Sequence, residues 1–112
     1  MKTIQVPTIY GLVEVRALPL DLFVIHRAIL GDDIISSKTW TATHRLTGRS
    51  VGHFESKPQA REAGKAFSAL FEIYDVERDL EGWMNNTVFC QLVTEVLKSL
   101  GVVNASGKER QL

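Results

Sequence analysis

Apolar and polar residues alternate along the first half of the chain and recur at helical spacing along the second half. Thr3 to Thr8 and Leu12 to Leu18 are rich in β-branched and aliphatic residues and are separated by Tyr10-Gly11. Gly11 can take the positive φ of a tight reversal, so the pattern predicts a strand pair, with Pro7 marking its first strand as a sheet edge. Leu22 to Leu30 fits either a strand or one helical face; Phe23-Val24-Ile25 favours the strand, and Gly31-Asp32-Asp33 ends it. Lys38 to His44 alternates, Arg45-Leu46-Thr47-Gly48 supplies a turn with Gly48 left-handed, and Arg49 to Glu55 alternates again.

That second hairpin has a register. With Arg45 opposite Arg49, Trp40, Ala42 and His44 share a face with Ser50, Gly52 and Phe54. Trp40 and Phe54 are then cross-strand neighbours, an aromatic pair worth about 0.5–1 kcal/mol beyond burial. The other face carries Thr39, Thr41, Thr43 and Arg45 with Arg49, Val51, His53 and Glu55, and is expected to meet solvent.

Ser56-Lys57-Pro58-Gln59 is a helix start, with Ser56 as N-cap, Pro58 in the first turn and Gln59 closing a capping box. Ala60, Ala63, Phe67, Leu70, Phe71 and Tyr74 form its apolar stripe. A second helix, from about Asn86 to Leu100, repeats the logic with Val88, Phe89, Leu92, Val93, Val96, Leu97 and Leu100 and stops at Gly101. The expected fold is α+β: a mainly antiparallel sheet of four or five strands with two principal helices packed on one face. Residues 1–103 are read as a single α+β domain and 104–112 as a flexible polar tail.

Composition narrows the function classes. In 112 residues there is a single cysteine, Cys90, so an internal disulfide and a multi-cysteine zinc site are both excluded. No apolar run approaches the roughly 20 residues of a membrane span, and the first residues lack a signal-peptide pattern. A cytoplasmic protein that does not enter a membrane is therefore expected. Thirteen basic and thirteen acidic side chains give zero net charge, but they are not mixed. Lys38, Arg45, Arg49, Lys57, Arg61 and Lys65 face only Glu55 and Glu62 between positions 38 and 65, whereas Glu72, Asp75, Glu77, Asp79, Glu81 and Glu95 outnumber Arg78 from 66 to 97. The molecule is expected to be dipolar.

Reactive chemistry is thin. Gly48-Arg49-Ser50-Val51-Gly52 matches G-x-S-x-G, but Ser50 falls inside a hairpin strand rather than at a strand-to-helix elbow. His26, His44 and His53 share no ligand spacing, with His44 and His53 on opposite hairpin faces. Asp32-Asp33 reads as turn chemistry. No catalytic residue, cofactor or metal ligand is assigned, and a non-enzymatic role is expected.

Thr39-Trp40-Thr41-Ala42-Thr43-His44, Thr47-Gly48-Arg49 and the Phe54-to-Ala60 helix start together resemble the β-β-β-α unit of AP2-like and phage-integrase arm-binding domains, over residues 22–74. The resemblance implies nucleic-acid contact through Thr41, Thr43, Arg45, Arg49 and His53. The chain departs from those families in its extra hairpin, its second apolar helix and its zero net charge. Size and style also resemble small phage or mobile-element accessory proteins, including host-defence inhibitors. The leading expectation is thus a small binding protein that occupies a protein partner, with Asp79, Glu81, Trp83 and Met84 as candidate contacts; the alternative is a nucleic-acid-binding module on the exposed hairpin face. The apolar second helix adds a homodimer as a further expectation.

Overall fold

The fold is taken from a computed structural model that describes residues 1–8, 10–31, 34–75, 82–83 and 85–103. Strands β1 (Lys2–Thr8), β2 (Gly11–Leu20), β3 (Phe23–Gly31), β4 (Ile34–His44) and β5 (Ser50–Phe54) form one antiparallel sheet in chain order, followed by helices α1 (Lys57–Ile73) and α2 (Thr87–Leu100). The fold is α+β. Segment 22–30, ambiguous by periodicity, is strand, because it is paired on both sides: Ala17 lies opposite His26 and Ile25 opposite Ala42.

The helix boundaries follow local chemistry. Ser56 is extended; its hydroxyl accepts from the Gln59 N–H while Gln59 Oε1 accepts from the Ser56 N–H at 3.1 Å. The same Gln59 donates through Nε2 to the Leu100 carbonyl at 3.1 Å, tying the start of α1 to the end of α2. Asn86 caps α2 by accepting from the Phe89 N–H at 3.0 Å, and Gly101 ends it in the left-handed region.

Two apolar layers flank the sheet. On the helix side, Phe23, Ile25, Ala42 and Phe54 meet Ala60, Ala63, Phe67 and Phe71 of α1 and Phe89 and Leu97 of α2. The opposite face is not open. Val6, Val13, Val15, Ala17 and Val24 form a second buried cluster there, because the sheet rolls until its first edge strand reaches the β4–β5 turn. A Cβ on Gly48 would be driven into the Pro7 carbonyl oxygen of β1.

This roll corrects the expected solvent face. Thr39, Thr41 and Thr43 are buried rather than exposed, and His53 is half-buried. A second correction concerns register. Trp40 does face Phe54 and Thr41 faces His53, but nearer the turn Thr43 faces Ser50 and the His44 N–H donates to the Arg49 carbonyl, not the Arg45–Arg49 pairing expected. Ala42 is opposed by both Val51 and Gly52, a bulge that the extended positive φ of Gly52 (153°) permits. The extra residue turns Ser50 toward Thr41 and brings Val51 against the helix-side core.

Candidate interaction surface

On the rolled face, His26 pairs with Thr43, and Thr41 with Ser50. His26 Nδ1 lies 2.7 Å from the Arg27 carbonyl, which can only accept, so Nδ1 carries the proton; Nε2, at 2.8 Å, then accepts from the Thr43 hydroxyl. Burial pushes the His26 pKa below its ordinary value, the nearby His53 pushes in the same direction, and the Arg27 carbonyl opposes both. A neutral imidazole is the form that this network fits. The Thr41 hydroxyl donates to the Gly52 carbonyl, and Ser50 Oγ–H is thereby directed to Thr41 Oγ1 at 2.6 Å. Of the five residues expected to share one contact face, Thr41, Thr43 and His53 belong to this interior. Arg45 and Arg49 remain exposed, on the turn and at the foot of β5.

Of the second candidate group, Trp83 is half-buried, with its ring 5.4 Å from that of Tyr74 and 5.5 Å from that of Phe89. Asp79, Glu81 and Met84 lie outside the described residues, as do Asp32-Asp33 and 104–112. His44 sits among aromatic rings, 5.5 Å from both Phe23 and Phe71, with Nδ1 2.9 Å from the Thr47 hydroxyl. Among the described residues, no cluster of three His, Cys, Asp or Glu side chains is placed to hold a metal ion, and no helix is long and apolar enough to cross a membrane.

The surface that stands out was not among the candidate contacts. Tyr10, in the β1–β2 turn, donates its hydroxyl to the Leu30 carbonyl at 3.3 Å and so ties the tip of the first hairpin to the end of β3. Around this tie five large apolar side chains face solvent: Leu12 is 66% exposed, Ile34 57%, Tyr10 47%, Leu30 43% and Ile35 40%. None belongs to either buried cluster. Scattered apolar exposure is ordinary, but a group at two joined hairpin tips is a feature of contact surfaces. Exposed Arg27 and Lys38 stand on the same two strands, β3 and β4.

Trp40 marks the border between this region and the helices. Its ring lies under Arg27, with Cζ 4.8 Å from the centroid, and near Lys57, with Nζ at 5.6 Å. Arg27 is held there by donation from Nη1 to the Ser37 carbonyl at 2.9 Å. The bend just beyond it is built by Ser36, whose hydroxyl accepts from the Lys38 and Thr39 N–H groups and from the Thr39 hydroxyl.

Comparison with protein-family models, curated proteins and solved structures finds no match. The functional reading therefore rests on the surface itself. A sequence signal for it does exist: Leu12, Leu30, Ile34 and Ile35 sit within two residues of a turn or a glycine, where a strand is running out of cover.

Proposed function

We propose that this protein is a non-enzymatic binding protein that occupies a protein partner through the joined tips of its β1–β2 and β3–β4 hairpins. The carrying observation is the exposed group of Tyr10, Leu12, Leu30, Ile34 and Ile35, tied across the hairpins by the Tyr10–Leu30 hydrogen bond. Covering each of these side chains contributes roughly 1–2 kcal/mol of transfer free energy, a contribution that nucleic acid, with its charged backbone, is less suited to supply. Arg27 and Lys38 favour a partner whose apolar face is bordered by carboxylates. The nucleic-acid alternative loses support, because Thr41 and Thr43 are buried and the hairpin face it needs is covered. Occupancy rather than turnover also suits the accessory role, such as binding a host-defence component, that the chain's size and style suggest.

The test is site-specific photo-crosslinking in the native cell, with the photoreactive residue placed at Leu12, at Ile34 or at Leu46. Leu46 is 75% exposed on the β4–β5 turn and serves as the control. Leu12 and Ile34 are expected to capture the same protein, with Ile34→Asp abolishing capture from position 12, and Leu46 to capture none. Adducts with nucleic acid alone, or equal capture from Leu46, overturn the proposal.

A further inference from the structure

The helix-side core is not filled. Between α1, α2 and the foot of the β4–β5 hairpin lies a cavity of about 180 Å³, walled by Phe23, Phe67, Phe71, Phe89 and Val93. An apolar cavity of roughly 150 Å³ stays dry and accepts benzene. The present space is of similar volume, though partly open to solvent, and its phenylalanine walls pack against one another, with ring centroids 5.3 Å apart for Phe23 and Phe71 and 6.1 Å for Phe71 and Phe89.

The cavity is not uniformly apolar. His44, Arg49 and Ser50 also line it. The Ser50 hydroxyl is turned away to Thr41, and His44 is held edge-on to Phe23 with Nδ1 at Thr47. Arg49 differs from both. Its side chain is exposed and forms no ion pair among the described residues. The bulge at Val51-Gly52 sets this arrangement: by shifting the strand one residue near the turn, it brings Val51 to the cavity wall and leaves Arg49 beside it.

We propose that this cavity binds a small monocarboxylic acid bearing one aromatic ring. The ring occupies the phenylalanine-lined space and the carboxylate meets the Arg49 guanidinium, whose planar fork matches two carboxylate oxygens. A neutral aromatic fills the same space without using Arg49. This site is separate from the hairpin tips and does not depend on the protein-partner reading.

Phenylacetate is the probe, titrated into protein carrying labelled valine and leucine methyl groups, with toluene as the neutral comparison. Saturable shifts are expected at Val51, Val93 and Leu97. Arg49→Gln, an exposed substitution, is expected to weaken phenylacetate about tenfold while leaving toluene unchanged. Val93→Phe fills the cavity and is expected to abolish binding of both. Absence of methyl shifts at millimolar phenylacetate overturns the proposal. So does equal phenylacetate affinity in the parent and Arg49→Gln proteins, or undiminished binding to folded Val93→Phe protein.

Discussion

Gly48→Ala tests the roll of the sheet that buries the hairpin's inner face. Gly48 has φ 73° and Gly101 has φ 76°, so a methyl group meets nearly the same backbone strain at the two positions. That strain is about 1 kcal/mol for a single left-handed residue. The surroundings differ. At Gly101 the nearest atom to a new Cβ is Gln59 Nε2 at 3.4 Å, the end of a flexible side chain, whereas at Gly48 it is the Pro7 carbonyl, part of a paired strand that must move as a unit. Displacing packed backbone in this way costs a further 1–3 kcal/mol, roughly. Gly101→Ala is therefore expected to lose about 1 kcal/mol and Gly48→Ala about 2–4 kcal/mol. Urea denaturation followed by tryptophan fluorescence, read at constant m-value, measures both. Amide shifts should spread along β1 in Gly48→Ala and not in Gly101→Ala. Equal losses, within about 0.5 kcal/mol, refute the contact between β1 and the turn and with it the covered inner face.

Three further outcomes follow from other parts of the fold. The unfolded chain protonates His26 near 6.5 while burial keeps the folded imidazole neutral to lower pH; stability should thus be full above about pH 6.5 and decline as pH falls toward the depressed folded value, as denaturation midpoints from about pH 8 to about pH 5 would show. Gln59→Glu keeps the capping acceptor but sets a carboxylate against the Leu100 carbonyl, so a loss of about 1 kcal/mol is expected, and Gln59→Ala, which gives up both bonds, should lose at least as much in the same assay. Phe67→Ala, in the centre of the helix-side core, should cost about 3–5 kcal/mol, and Leu46→Ala on the exposed turn less than about 0.5 kcal/mol.

Much of the fold was legible because its signals are local. Ser56 and Gln59 must be three residues apart to form a capping box, and Asn86 and Gly101 act within one turn of the helix they bound. The Trp40–Phe54 pair could be read because alternation fixes faces wherever no residue is inserted. The inner-face error has a different origin. A polar alternation of threonines is the same string whether the face meets water or the opposite arm of a rolled sheet. What decides between them is the contact of Pro7 with Gly48, some forty residues apart, and nothing near Thr41 or Thr43 records it. The bulge at Val51-Gly52 was hidden for a related reason: Gly52 also looked like an ordinary strand position, and only the paired partner counts two residues against one. The hairpin-tip surface was not legible because Leu12, Leu30, Ile34 and Ile35 are aliphatics that a core would be expected to claim.

The charge asymmetry read from the sequence acquires a physical meaning in α1. Its first turn has no acidic residue and holds Lys57, and its last turn has no basic residue and holds Glu72, so both ends oppose the helix dipole. Each such placement costs a helix about 0.3–1 kcal/mol at low ionic strength, and the arrangement is therefore not one that helix stability selects. Lys57 recovers part of this through the Trp40 ring, and the capping box holds the start of the helix without an acidic side chain. Glu72 has no ion-pair partner among the described residues. Lys57 stands beside Trp40 at one end of α1, and exposed Glu72 and Asp75 stand at the other. Under the protein-partner proposal, such placement would steer the approach of a charged partner.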